Sequence, residues 1–311
     1  MTSTTSTAPT GEQFILTRDT AFGPARAAIT EVAAGLRELS IGGVDLTEPY
    51  PETVTPPFGD GIVLMPWPNR VADGLWNLDG APQQLDITEP DRHNSLHGLL
   101  RYSPYRLVER DESSITLGAV VFPQHGYPFH LDTTVRYELT ADGISVTHTV
   151  RNISAAKAPV AIGTHPFLTI GGVPTDDLQL TVYAATRFEV DARLNPIREI
   201  DVEGANYDLR PGRPVKDLTL DDAFGGLITV DGVSAVLRAP DGREVRLLQD
   251  DNHPYVQVFT TREFPKNGGH GLAVAVEPMT APPNAFNTGI GVRWVEPGAS
   301  WTVGWGIQYS G

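Results

Sequence analysis

The sequence predicts an all-β fold, a sandwich of antiparallel sheets in one domain, and three observations carry that prediction. Apolar and polar residues alternate over short segments, the period of a strand with one buried face. Glycine and proline, 31 and 26 of the 311 residues, are spread along the whole chain, as turns between many short strands require. No convincing amphipathic helix, internal repeat or linker interrupts the pattern, and a hydrophobic content of 40% suffices for a substantial core. All-β domains of this length are often undivided.

Residues 1–13 are polar and rich in threonine and serine, without the basic start and apolar core of a leader, and are expected to form a disordered tail before a domain spanning 14–311. Residues 25–40 place Ile29, Val32, Ala33, Leu36 and Leu39 at helical spacing, while Gly35 weakens a helix at its middle. On local evidence a helix and a pair of strands both remain open there. Alternation in Leu131–Leu139, the turn Ala141-Asp142-Gly143 and renewed alternation over 144–150 read as a β-hairpin. Val233–Arg238 and residues 244–248 flank Asp241-Gly242 in the same way. The last run, 301–309, places its large side chains mainly on one face.

A net charge of −15 argues against nucleic acid, since phosphate binding needs clustered cations. The absence of cysteine excludes disulfides, thiolate nucleophiles and thiolate metal sites. No run approaches the ~18 apolar residues of a membrane span. The expected location is the cytoplasm, with no membrane partner.

Two ionisable residues share an unusual setting. His165 closes Ala158-Pro159-Val160-Ala161-Ile162-Gly163-Thr164-His165, and Glu277 closes Gly271-Leu272-Ala273-Val274-Ala275-Val276-Glu277. Read as strands, each has a face of small residues, Ala161 and Gly163 in one, Ala273 and Ala275 in the other. Proline follows both and holds the preceding residue extended. An imidazole and a carboxylate are thus expected at strand ends above a floor with room for a ligand. Such an acid and base on rigid strands suit proton transfer.

Four further segments carry polar groups: Asn69-Arg70 before Val71-Ala72-Asp73-Gly74, Asn94-Ser95-Leu96-His97-Gly98, Leu220-Asp221-Asp222-Ala223-Phe224, and Tyr255-Val256-Gln257-Val258-Phe259. Together the six segments resemble the aldose 1-epimerase (galactose mutarotase) family. The first is similar to the family's N-R-[IV]-x-x-G stretch with one extra residue, Asp73. The second matches N-x-L-H-G. Thr164-His165-Pro166-Phe167 and residues 277–286 resemble the segments of the catalytic acid and base. The matches fall in the family's order, and the resemblance runs from about Phe22 to the C-terminus.

The resemblance implies a large antiparallel β-supersandwich, with strands and a turn over 25–40. It implies Glu277 as general base and His165 as general acid, with Asn69, Arg70, His97 and Gln257 contacting or supporting a sugar. The acid that holds distal hydroxyls aligns best with Asp221. The commoner pattern has histidine where Asp222 stands, so the choice between these two stays open. The implied reaction interconverts the α and β anomers of a free aldose, an aldohexose, by ring opening and reclosure. That chemistry moves only protons, so no metal or other cofactor is expected. At neutral pH the acid role asks for a raised His165 pKa, which a nearby carboxylate would supply.

Among the other candidates, Trp67 is the better sugar-stacking residue and Trp76 the better core residue. The remaining histidines, His93, His125, His130, His148, His253 and His270, are expected to be structural or exposed. Competing functions are separable. A metal hydrolase lacks a familiar ligand spacing. A glycosidase would pair Asp221 or Asp222 with Glu277. A non-catalytic sugar-binding protein would not need both His165 and Glu277. A hexose-phosphate epimerase would need a cationic pocket, for which Arg70, Arg92 and Arg101 are the nearby basic residues.

Overall fold

Alternation of valine with small or polar residues organises the centre of the molecule. The computed structural model describes residues 8–266 and 268–311. In the strand Gly269–Met279, Val274 and Val276 face the main core while Ala273, Ala275 and Glu277 face the other way. In the neighbouring strand Tyr255–Lys266, Val256 and Val258 join the same core and Gln257 lies opposite Glu277. Full burial of each valine is worth about 1.5–3 kcal/mol, so the apolar face anchors the strands whose other face carries the polar groups.

These strands lie in one of two large antiparallel sheets. In order it comprises Pro196–Asp201, Ala184–Val190, Asp221–Leu227, Tyr255–Lys266, Gly269–Met279, Gly163–Thr164 and Val63–Leu64, with Phe167–Leu168 also paired to Gly269–Met279. The second runs Arg106–Arg110, Ser114–Val121, Leu131–Leu139, Gly143–Asn152, Ser300–Ser310, Glu244–Gln249, Val233–Arg238, Gln179–Val182 and Arg213–Pro214. Val146, Ile307 and Leu247 from the second sheet share one core with Val258 and Val276 from the first. The two sheets therefore sandwich that core. The sole α-helical turn among the described residues is Ala285–Thr288. No helix among them is long and apolar enough to cross a membrane.

The two hairpins read from alternation are present, as Leu131–Leu139 with Gly143–Asn152 and as Val233–Arg238 with Glu244–Gln249. Residues 25–40 form strands. Gly23–Thr30 pairs with Leu36–Ile41, and Ile29, Ala34, Leu36 and Leu39 are buried in the core. Helical spacing of apolar residues arose there because a turn at Ala33-Ala34, both at positive φ, shifts the phase between two strands. Of the expected tail, residues 1–7 lie outside the described residues. Thr10 is buried and Gln13 opens the first strand, so the packed body begins before residue 14.

The run ending in His165 is not one strand. It breaks into Ala158–Val160 and Gly163–Thr164, which pair with different partners. The expected open floor is also absent. Ala273 and Ala275 lie beneath Phe167 and Phe264, with Phe259 packed against them. Ala161 packs against Ala281 and Ala285 instead. Small residues on these strands make room for the chain's own side chains rather than for a ligand.

Candidate functional site

Register places three polar residues on one face of three adjacent strands. Gln257 pairs with Glu277 on one side and Ala223 on the other, and Asp221 lies two residues from Ala223 on the same face. The Gln257 amide Nε2 donates to Asp221 Oδ1 at 2.7 Å. Asp222, one residue on, faces the opposite way and accepts from Arg187 Nε at 2.9 Å. Alternation thus separates the two acids that the sequence left open: Asp221 stands with Gln257 and Glu277, and Asp222 does not.

His165 arrives from across the sheet. Its Nε2 lies 3.3 Å from Glu277 Oε1, with side chains only 6% and 2% exposed. Gly163 makes the approach possible. A side chain there would meet Pro68 Cβ at 2.9 Å, so only glycine lets this strand lie against the segment entering Asn69-Arg70.

Arg70 comes from the short strand Arg70–Ala72, paired with Asn94–Leu96. Its guanidinium donates from Nε to Glu89 Oε2 at 2.9 Å and from Nη2 to Glu89 Oε1 at 3.0 Å. Nη2 also reaches Asp221 Oδ2 at 3.2 Å. Glu89 accepts further from Asn94 Nδ2 at 2.9 Å. Burial works against the Glu89 charge, yet Arg70 and Asn94 hold its carboxyl below the ordinary range. Sequence reading missed Glu89. Its one signal is indirect: an arginine placed in a buried motif needs a carboxylate counter-ion.

His97 and Asn69 brace one another. The Asn69 backbone N–H donates to His97 Nδ1 at 3.2 Å, and the His97 N–H donates to the Asn69 carbonyl at 2.9 Å. Both residues adopt positive φ, 54° and 62°. Asn69 Oδ1 also accepts from the Arg70 N–H at 2.8 Å, which leaves the asparagine a bracing residue. Because His97 Nδ1 accepts, its proton is assigned to Nε2. Burial, then the nearby His165, Arg70 and Arg101 charges, hold His97 well below the usual histidine range, so it is a neutral donor. Its ring lies edge-on to that of His165, with centroids 5.4 Å apart.

Burial pushes the His165 pKa down to about 4 and the Glu277 pKa well above the usual carboxylate range. The raised His165 pKa expected from a neighbouring carboxylate is therefore not found. Desolvation outweighs that attraction, because an imidazolium this deep loses its hydration. Three buried polar atoms here lack partners among the described residues: Glu277 Oε2, His165 Nδ1 and Gln257 Oε1. Exposure rises from Glu277 through Arg70, 8% exposed, to Asp221 at 25%, so the recess opens on the Asp221 side.

Trp67 does not belong to this recess. It is buried among Tyr127 and Phe286 and is a core residue, as is Trp76, whose indole N–H donates to the Gly126 carbonyl at 2.8 Å. His148 and His253 are buried structural histidines bonded to Trp305 and Asp250 respectively. A cleft of about 1150 Å³ lies elsewhere, lined by Glu48, Tyr50, Phe58, Thr175 and Lys266. None of the recess residues lines it, and titratable chemistry, not volume, marks the recess as the candidate site.

Comparison with known proteins gives the family and the fold. Residues 26–308 match the family model described as aldose 1-epimerase. The Escherichia coli K12 protein YihR, described as uncharacterized, is 33% identical over 279 residues, covering 89% of this chain and 88% of YihR. The crystal structure of a GalM/aldose epimerase homologue from C. elegans superposes with a TM-score of 0.83 at 17% identity, covering 96% and 99% of the two chains. That of a galactose 1-epimerase from Lactobacillus acidophilus gives 0.75 at 18% identity, covering 94% and 93%. The fold is the galactose mutarotase-like β-sandwich, and with a family match over most of its length the chain belongs to the aldose 1-epimerase family.

Proposed function

We propose that this protein is an aldose 1-epimerase acting on a free aldose, with Glu277 as general base and His165 as general acid. The observation that carries the reading is the 3.3 Å separation of His165 Nε2 and Glu277 Oε1. The two oxygens that exchange protons in mutarotation, the O1 hydroxyl and the ring oxygen, are bonded to the same carbon. An acid and a base must therefore stand side by side to serve both. Glu277 takes the O1 proton, His165 delivers one to the ring oxygen, and the ring opens. Rotation about C1–C2 and reversal of both transfers close it as the other anomer. One proton leaves the sugar and one returns, so the dyad ends as it began.

The supporting groups suit hydroxyl recognition. Asp221 offers acceptors, His97 Nε2 a neutral donor, and the partnerless Gln257 Oε1 a further acceptor. Arg70 is already shared between Glu89 and Asp221, which favours it as an oriented donor to sugar hydroxyls over a free cation for phosphate. That favours a free aldose over a hexose phosphate.

Polarimetry on pure anomers of common aldohexoses and their 6-phosphates tests the reading. Glu277→Gln keeps size and removes the base, so kcat should fall ~10²–10⁴-fold, about 3–5.5 kcal/mol of transition-state stabilisation. Calorimetric sugar affinity should stay within roughly tenfold. A wild-type protein that binds an aldose tightly yet accelerates no mutarotation would make this a sugar-binding protein instead.

A further inference from the structure

Asp60 is completely buried, and nothing in the proton transfers above uses it. It lies between two glycines at positive φ, Gly59 and Gly61. A Cβ on Gly61 would come within 2.2 Å of the Leu36 carbonyl oxygen, so this turn cannot relax outward with any other residue. The turn is laced to the segment that carries His165. The Gly61 N–H donates to the His165 carbonyl at 2.8 Å, and the His165 N–H donates to the Ile62 carbonyl at 3.1 Å. Pro166 follows and has no N–H to offer. The next donor, the Phe167 N–H, goes to Asp60 Oδ1 at 3.1 Å. Phe167 is fully buried, and its ring stacks on the His165 imidazole with centroids 5.4 Å apart and planes at 28°.

We propose that Asp60 is a positioning residue for His165, acting through Phe167: its carboxyl supplies the acceptor that holds the Phe167 backbone, and the ring so held fixes the plane of the imidazole. The inference rests on the acid role assigned to His165 above. Without Asp60 the buried Phe167 N–H would lose its partner, and the strand end could satisfy it only by shifting. A shift there moves the imidazole, and proton transfer tolerates little displacement. Burial keeps the Asp60 carboxyl protonated well above the usual range, with the neighbouring Glu48 charge acting in the same direction. The carboxyl thus acts here as a neutral group, one face accepting from Phe167 and the other free to donate. Among the described residues its Oδ2 and the buried Tyr50 hydroxyl are both without hydrogen-bond partners, and the two residues interact electrostatically.

A neutral role makes asparagine an adequate replacement and leucine an inadequate one. Asp60→Asn should keep kcat and KM within about twofold. Asp60→Leu should lower kcat about tenfold or more with KM within about threefold. Phe167→Leu, which keeps the backbone bond and removes the ring, should reproduce that split. The ring signals of His165, followed by NMR against pH, give a readout independent of activity. Glu277, His97, Asp221 and Arg70 surround the imidazole and are unchanged in all three variants. The His165 midpoint should stay within about 0.2 pH units of wild type in Asp60→Asn and move by about 0.5 or more in Asp60→Leu and Phe167→Leu. Loss of activity in Asp60→Asn would overturn the proposal, because it would mean that the charge matters. So would a wild-type kcat and His165 midpoint in Asp60→Leu or, should that variant fail to fold, in Phe167→Leu. If the wild type proves inactive on every aldose, the function assigned above fails while the NMR comparison still decides this one.

Discussion

Removing Glu89 tests how the substrate-facing side of the site is held. Its carboxylate accepts three hydrogen bonds from Arg70, at 2.9, 3.0 and 3.3 Å, with side chains 11% and 8% exposed. Cutting a buried pair at one partner typically costs ~3–5 kcal/mol, because the other charge is left alone. Here Arg70 keeps Asp221 at 3.2 Å, and burying Glu89 itself no longer has to be offset. The expected loss in Glu89→Ala is therefore smaller, about 2–3 kcal/mol. With an unfolding entropy of roughly 2.1 cal/mol/K per residue, a chain of 311 residues loses ~1.5 °C of Tm per kcal/mol, so Tm should fall by about 3–5 °C. The catalytic consequence follows from where the guanidinium goes. Freed of Glu89, it turns fully to Asp221 and draws that carboxylate from Gln257. Hydroxyl contacts weaken, and KM should rise about tenfold, ~1.4 kcal/mol, with kcat within a few-fold. Thermal unfolding and polarimetric kinetics on the same sample read both effects. An unchanged Tm and KM would refute the idea that Glu89 holds Arg70. A collapse of kcat at constant KM would mean that Glu89 acts on the dyad instead.

Asp221→Asn should raise KM about tenfold with little change in stability, whereas Asp222→Asn should lower Tm through Arg187 and leave KM within about twofold; equal kinetic effects would contradict the assignment by strand face. The pH dependence of kcat/KM should be bell-shaped, with activity lost as pH falls through about 4, where His165 binds a second proton into the dyad, and lost again at alkaline pH, where the shared proton leaves; a flat profile down to pH 3 would exclude His165 as a participant. His148 is buried and neutral, with burial holding its pKa at about 3. Between about 6.5 and 3 the unfolded chain binds the extra proton, so His148 costs ~1.4 kcal/mol of stability per pH unit as pH falls. His148→Gln should flatten the stability–pH curve by up to that slope, measured by urea unfolding between pH 4 and 7.

How far the sequence disclosed this molecule depended on the range of the interaction. Strand alternation is a local property, so Leu131–Leu139 and its hairpin partner could be read directly. At 25–40 the apolar spacing mimicked a helix, and only the pairing of Gly23–Thr30 with its neighbours Gln13–Thr20 and Leu36–Ile41 removes the ambiguity. The polar segments were visible because they are short and carry chemically specific residue pairs. Glu89 was not, because its meaning lies in a guanidinium 19 residues away. The small faces of the His165 and Glu277 segments were misread for a related reason. A row of alanines shows that something approaches closely, without saying whether it is a ligand or Phe167. Trp67 failed in the same way, since proximity in sequence to Asn69-Arg70 did not place it in the recess. The choice between Asp221 and Asp222 turned on strand register alone, which no single-residue property encodes.

The charges around the dyad divide into those that set how many protons it holds and those that set where a proton rests. Asp221 raises the proton affinity of both His165 and Glu277, and Arg70 lowers that of both. They act in opposite directions on the total and express no preference between the two atoms. Burial does express one: with the recess free of sugar, it favours a neutral imidazole and a protonated carboxyl. On the proposed roles, an aldose would reverse that preference through its own hydrogen bonds. Its O1 hydroxyl would donate to Glu277, favouring the carboxylate, and its ring oxygen, which can only accept, would favour the imidazolium N–H of His165. The proposed roles thus imply a resting site with its proton on Glu277, which would be drawn to His165 by a molecule bearing a donor and an acceptor on the same carbon. The cyclic hemiacetal would then select the charge state of the site proposed to open it.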